Sequence, residues 1–424
     1  MAWQPLVTGE RRAALASIVR EIVEALEAMP ARAAVDPVTH ALLRMYVAEA
    51  DIVPDLDGAG DAALARAIAG LARGRSPALF GGVAGTAWLV AHAASGDAAD
   101  SLCAGIDTEL LARLASWSGD YDLIEGLVGL GVYALERGEP GHSLAVGVLD
   151  QLARSARPRS GGLAWHTAPG LLPPQQRAVA PDGYWDLGLA HGNPGVIAVL
   201  ARMIASGVAV ELAGELLDGA VTALLASEPA TANGRYPGWH AGGHDERAAP
   251  EPADENRARL AWCYNDLGVS LALMSAAQAT SNPGWYSEAL VLARACTARS
   301  EAQAAVLDSF VCHGAFGAAH LFNRLRHATG DDAFASAAEH WLARGLEMRT
   351  DRPLAGFARR LVRDGSERWS PDASLLNGAS GIALVLHSMI TDVEPGWDRL
   401  LLADLAEASS RPTADDHGPV GVSG

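Results

Sequence analysis

A short glycine-bearing turn followed by an apolar run of helix length recurs along the chain. The copies are LFGGVAGTAWLVAHAA from Leu79, DLIEGLVGLGVYALE from Asp122, GLAHGNPGVIAVLARM from Gly188, AWCYNDLGVSLALMSAA from Ala261, VCHGAFGAAHLFNRL from Val311 and SLLNGASGIALVLHSM from Ser374. The runs are hydrophobic nearly all round, as GVIAVLARMIA shows, which predicts helices buried on most faces. Between them lie stretches such as ALVLARACTARSEAQAAVL and AFASAAEHWLARGLEM, charged on one side and Ala/Leu on the other, which predict half-exposed outer helices. No strand-period run of any length competes. Inner helices alternating with outer ones, stacked and closed into a ring, make an all-α fold: an α/α toroid with its glycine turns gathered at one end.

Taking Gly82, Gly126, Gly192, Asn265, Gly314 and Gly378 as equivalent, the units are spaced by about 44, 66, 73, 49 and 64 residues, as helical repeats with unequal loops would be. A glycine recurs three positions on in each, at Gly85, Gly129, Gly195, Gly268, Gly317 and Gly381. Such pairs allow a tight turn into the helix and a close approach of backbones. Two intervals, 157–184 and 227–257, are long and rich in Pro and Gly, and are read as walls of a cleft. The expected organisation is one toroid domain over 1–408, with the layout of 1–75 open, and a flexible tail over 409–424.

Composition narrows the function. Of 424 residues half are hydrophobic, enough for a large core, and the net charge is −18 with 32 scattered basic residues. Nucleic-acid binding, which needs clustered Lys and Arg, is not expected. MAWQPLVTGERRAALASIVREIVEAL has no continuous apolar core and no stretch of membrane-spanning length occurs, so no membrane insertion and a cytoplasmic location are expected. Four cysteines in so long a chain do not make a disulfide framework; those that matter act as thiols or metal ligands.

The turns carry the chemistry. FVCHGAFG sets Cys312 beside His313 in the fifth copy; Cys263 belongs to the fourth, His191 to the third, and Asp122 opens the second. Adjacent residues on a regular helix point about 100° apart, so Cys312 and His313 can share one ion only at a helix entrance. With Cys263 they form a Cys₂His set that suits zinc and leaves a fourth position for substrate. Cys103 and Cys296, in predicted outer helices, are read as small core residues.

AWCYNDLGVS, VCHGAFG, GLAHGNPG and YDLIEGLVG resemble the signature segments of the LanC-like lanthionine cyclases over about residues 75 to 390. The resemblance implies a seven-fold α/α barrel, zinc on Cys263, Cys312 and His313, and closure of thioether rings in a ribosomal peptide. It implies catalytic roles for His191 and Asp122, with Arg259 and Tyr264 lining the site. Asn265 stands where the family usually has Gly; it too tolerates φ > 0. In such a reaction a peptide cysteine adds to dehydroalanine or dehydrobutyrine and the enolate takes a proton. His191 is the candidate to move it and Asp122 to hold the imidazole. Arg259 would pair with Asp122 or stabilise the enolate. A structural ion pair for Asp122 and Arg259, and packing for Tyr264, are the plain alternatives. The expected partner is a dehydrated precursor peptide, with a dehydratase and an exporter as further candidates. Two rival functions are a zinc-thiolate enzyme acting on another thiol, such as glutathione or a prenyl acceptor, and a non-catalytic peptide-binding scaffold.

Overall fold

The computed structural model describes residues 3–29, 36–53, 58–71, 76–227, 234–242, 259–363 and 366–407. The helices buried nearly all round are α2 (Pro37–Glu49), α4 (Val83–Ala93), α6 (Leu127–Glu136), α9 (Asn193–Ala205), α11 (Asn265–Thr280), α14 (Ala315–Thr329) and α16 (Ala379–Ile390). Each packs on the next in that order, and α16 returns to α2, so the inner wall closes on itself. Outside them lie α1 (Gly9–Glu27), α3 (Ala59–Leu71), α5 (Asp97–Leu114), α7 (His142–Ser155), α10 (Val210–Leu225), α12 (Pro283–Thr297) and α15 (Asp332–Glu347), packed against the inner helices. The short helices α8 (Pro174–Val179) and α13 (Glu301–Ala304) lie in connections. This is the α/α toroid expected from the alternation of apolar and amphipathic runs. Cys103 and Cys296 are buried in the outer helices α5 and α12.

The inner helices other than α2 begin in a shared way. The loop before each tucks under its first turn, and loop carbonyls take the N–H groups that a helix start leaves unpaired. Val83, Leu127, Ala315 and Ala379 donate to the carbonyls of Ser76, Asp120, Asp308 and Asp372 at 2.9–3.3 Å. The carboxylates of Asp120, Asp186, Asp308 and Asp372 also accept a nearby backbone N–H at 2.7–2.9 Å, pinning the loop. This geometry leaves no room for two side chains. Gly82, Gly126, Gly192, Gly314 and Gly378 have extended backbones that any residue adopts, so their need is space: an added Cβ would collide with the loop. Likewise a Cβ on the second glycine of each pair would strike the carbonyl oxygen of Leu79, Leu123, Leu189, Trp262, Val311 or Leu375. The close approach is therefore chiefly to each helix's own loop. Asn265 is the exception, with φ +69; its buried amide accepts from Arg259 N at 3.1 Å and donates to Tyr236 O at 2.9 Å.

Backbone hydrogen bonds also join one turn to the next around the mouth: Phe80 to Ile124, Leu123 to Ala190, Ala190 to Cys263, Trp262 and Cys263 to Cys312, and Cys312 to Leu376, at 2.9–3.3 Å. Short antiparallel ribbons, too small to leave a strand period in the sequence, decorate the loops. They are β1–β2 (Arg157–Arg159, Gly162–Ala164), β3–β4 (Tyr184–Asp186, Trp239–Ala241) and β5–β6 (Arg359–Arg363, Ser366–Ser370). The β3–β4 ribbon ties the two long Pro/Gly-rich intervals together. Residues 228–233, 243–258 and the expected tail at 409–424 lie outside the described residues. Among the described residues no helix is long and apolar enough to cross a membrane.

The crowding has a direct test. Gly317→Ala, whose Cβ would meet Val311 O, should lower stability by about 1–3 kcal/mol, the usual cost of overpacking. Gly105→Ala, on the exposed face of α5 with open space around it, should raise stability by roughly 0.5–1 kcal/mol. Urea midpoints of the two variants, read by circular dichroism, should move in opposite directions.

Candidate metal centre and active site

The turns entering α11 and α14 bring Cys263, Cys312 and His313 together, with their candidate ligand atoms all within 4.8 Å of one another. Two backbone bonds to Cys312 O, from Trp262 at 3.1 Å and Cys263 at 3.2 Å, lock the turns in this relation. Behind His313 stands Asp308, its Oδ2 3.1 Å from Nε2. A carboxylate on the outer imidazole nitrogen fixes ring and tautomer and leaves Nδ1 for a metal. The Cys263 thiol is pulled well below the ordinary range by a hydrogen bond from Cys312 and by His313 and the nearby charge of Arg259, against the effect of burial. Cys312 is pushed up by that same bond. Two soft sulfurs and one imidazole, one sulfur readily ionised and the ring backed by a carboxylate, are a donor set that fits zinc.

His191 sits at the entrance of α9, next to Ala190, whose N–H bonds Cys263 O at 3.3 Å. Its Nδ1 is 2.6 Å from Asp122 Oδ2, while Asp122 Oδ1 accepts from Glu125 N at 2.8 Å. The imidazole side chain is 38% exposed and Asp122 is buried. Burial alone would lower the imidazole's pKa. The hydrogen bond and charge of Asp122, with Asp186 and Cys263 beyond it, instead raise it to about 9. Tyr264 stacks against His191 with ring centroids 6.1 Å apart. The charge of Arg259 bears on Cys263, Cys312 and Asp308, and the ion pair of Asp122 is with His191.

His191, Asp122 and Tyr264 line a cleft of about 700 Å³. Leu171, Leu172, Pro173 and Gln176, from the first long interval, form one wall, and Asp120 and Glu125 add negative charge. The cleft's Arg113 is engaged by Glu109 at 2.6 Å. Sequence reasoning missed Asp308, Asp120 and Asp186. Their signal is an aspartate six residues before a turn glycine, in Asp120/Gly126, Asp186/Gly192, Asp308/Gly314 and Asp372/Gly378.

A ring of paired helices carrying a Cys–Cys–His cluster and an Asp-bound histidine at its glycine-turn mouth defines an α/α-toroid protein with a thiolate metal centre as its candidate site. Residues 41–402 match the family described as lanthionine synthetase C-like protein, and the chain belongs to that family. Its fold is similar to the solved structure of nisin cyclase, with a TM-score of 0.72 and 20% identity over 93% of this chain and 98% of that one. No curated protein matches it in sequence.

The His191–Asp122 pair has a pH signature. The folded pKa of about 9 exceeds the free value of 6.5, so the pair's contribution to stability is complete below about pH 6.5 and disappears as pH rises through about 9. In metal-free protein the His191 ring proton, followed by NMR, should titrate near 9. In Asp122→Asn, with the largest raising interaction gone and burial still acting, it should titrate clearly below 9.

Proposed function

We propose that the chain is a zinc-dependent lanthionine cyclase that adds cysteine thiols of a dehydrated peptide to dehydroalanine or dehydrobutyrine. The observation that carries the reading is that the Cys263–Cys312–His313 cluster and the Asp122-bound His191 stand on neighbouring, hydrogen-bonded turns of one mouth, the histidine lining a cleft of about 700 Å³. Cys263, Cys312 and His313 would hold the metal, and when bound it would supply the Lewis acid that keeps a substrate thiol as nucleophilic thiolate. The seven inner helices and their outer partners are read as the seven-fold barrel of the family.

In the proposed reaction the thiolate sulfur bonds to the β-carbon and the double-bond electrons move into an enolate. The enolate α-carbon then takes a proton from the His191 imidazolium at Nε2, the nitrogen that Asp122 leaves free. The proton lost by the thiol restores the imidazolium through solvent, so the product has the mass of the substrate. Asp122 fixes the ring and its charge state. Tyr264 packs on the imidazole and shapes the cleft beside it. The Arg259 charge, near the two sulfurs, favours the thiolate form of the metal ligands rather than serving Asp122.

The substrate must arrive dehydrated, so a dehydratase acts before this protein and export follows it. The unpaired cysteines suit the reducing cytoplasm, where we place the reaction.

Two results test the reading. Purified protein should hold about one zinc per chain, Cys312→Ala should hold none, and Asp308→Ala should bind it roughly 10–100-fold more weakly. Metal analysis showing full occupancy in Cys312→Ala would contradict the ligand set. His191→Ala should keep its zinc yet close rings roughly 10²–10⁴-fold more slowly. Because cyclisation leaves mass unchanged, the rate is read by alkylating residual thiols and counting adducts. Equal adduct counts for His191→Ala and wild type at every time would remove the histidine from the reaction.

A further inference from the structure

The inner helices point their N-termini at the metal face, and their opposite ends converge on one stretch of chain. Residues 395–406 follow α16 and run across the base of the ring, with Trp397, Asp398, Leu401 and Ala403 fully buried. The segment is tied to inner helices from every side. Asp398 receives Arg324 Nε at 2.6 Å, Arg324 Nη2 at 2.9 Å and His320 Nε2 at 2.7 Å from α14. Arg202 of α9 donates to Arg399 O at 2.9 Å and pairs with Asp404. Arg399 pairs with Glu136 of α6 at 2.8 Å. Gln278 of α11 exchanges two hydrogen bonds with the backbone of Ala406, at 2.7 and 3.0 Å. Gly396 leaves so little space that an added Cβ would lie 3.1 Å from Tyr46 Oη of α2 and 3.3 Å from His92 of α4. Nothing in the reaction described above uses this plug.

One side chain joins the plug to the metal face. Trp262 directly precedes Cys263, is fully buried, and donates its indole Nε1–H to Leu401 O at 2.8 Å. Its own backbone N–H binds Cys312 O at 3.1 Å, and its carbonyl lies against Gly268 in the first turn of α11. Trp262 is thus fixed at both ends, by the other metal-binding turn through its main chain and by the base of the ring through its indole. A residue anchored in this way sets the path of the chain into Cys263.

We propose that Trp262 is a positioning residue for the metal centre, and that the C-terminal segment 395–406 is the plug that seats it through Leu401. The inference rests on Cys263 being a zinc ligand. Without the indole bond the ring loses its tie to the plug while Leu401 O is left buried without its donor, and the Cys263 turn is free to settle away from Cys312 and His313. Coupling is reciprocal: if the plug sets the metal turn, filling the metal site must steady the plug on the far side of the ring.

The test compares two tryptophans. Trp262→Phe keeps an aromatic ring and removes the N–H. Trp397→Phe makes the same change inside the plug, where the indole Nε1 has no hydrogen-bond partner among the described residues. Zinc affinity is measured by competition with a chromophoric chelator, and folding by circular dichroism and melting temperature. Trp262→Phe should hold zinc on the order of tenfold more weakly, while Trp397→Phe matches wild type. Equal zinc affinity in Trp262→Phe and wild type, or equal weakening in both variants, would overturn the proposal, since the first makes the bond a plain core contact and the second a general loosening. Wild-type protein is followed in parallel by hydrogen exchange with and without zinc, which decides the matter should Trp262→Phe fail to fold. Zinc should slow amide exchange in 395–406 and leave the outer helix α15 unchanged; protection confined to the glycine-turn face would overturn the plug's role. A wild-type chain that binds no zinc at all would instead remove the metal reading underneath.

Discussion

The mouth depends on one steric constraint: the loop before each inner helix other than α2 must lie directly under the first turn, where Cβ atoms would otherwise be. Once glycine clears that space, loop carbonyls satisfy the helix's leading N–H groups and the turn becomes part of the helix rather than a flexible lead-in. The residues just before the turn glycine are then held on a rigid element at the mouth, and in the third and fifth copies those residues are His191 and Cys312–His313. Rigid placement matters because a metal centre and a proton donor work only when their atoms are fixed to within a fraction of an ångström. The backbone bonds from turn to turn extend the same rigidity around the ring and join the two halves of the Cys–Cys–His cluster through Cys312 O.

Gathering helix N-termini at one end also sorts charge. The partial positive charges of those termini favour thiolate and enolate at the mouth, while the C-terminal ends favour cations. The base follows this rule: Arg202 and Arg324 stand toward the C-terminal ends of α9 and α14. They are met there by Asp404 and Asp398 from the plug. The buried His320–Asp398–Arg324 group is fully paired, and truncating one member would leave an uncompensated charge in the core. The ring is held by backbone hydrogen bonds at the mouth and by ion pairs at the base, with Trp262 running between them.

The six glycine turns, the helices that follow them and the Cys–Cys–His set were legible in the sequence because each is local: an apolar period, a glycine pair, a Cys-His dipeptide at a repeated position. What was not legible is what distance supplies. The inner helix α2 escaped because it starts from Asp36 and Pro37, a side-chain cap accepting from Val38 N at 3.1 Å, with no glycine turn to mark it. The glycines were read partly as turn formers, but extended φ values make them a matter of space, and Asn265 alone among the six needs positive φ. Asp308 was overlooked because a lone aspartate in a loop carries no signal until the repeats are aligned on it. Arg259 was offered as a partner of Asp122 or a stabiliser of the enolate; its charge bears on the two sulfurs, while Asp122 pairs with His191. The plug at 395–406 has no motif, its polar groups being paired with residues as far as 263 positions away.

The central claim is that Cys263, Cys312 and His313 hold a zinc with one position free for a substrate thiol. X-ray absorption at the zinc edge tests it most directly. Protein alone should show two sulfurs at about 2.3 Å, one nitrogen at about 2.0–2.1 Å and one further light atom, and a cysteine-containing dehydrated peptide should raise the sulfur count to three. A spectrum with four protein ligands, or one that the peptide leaves unchanged, would contradict the account.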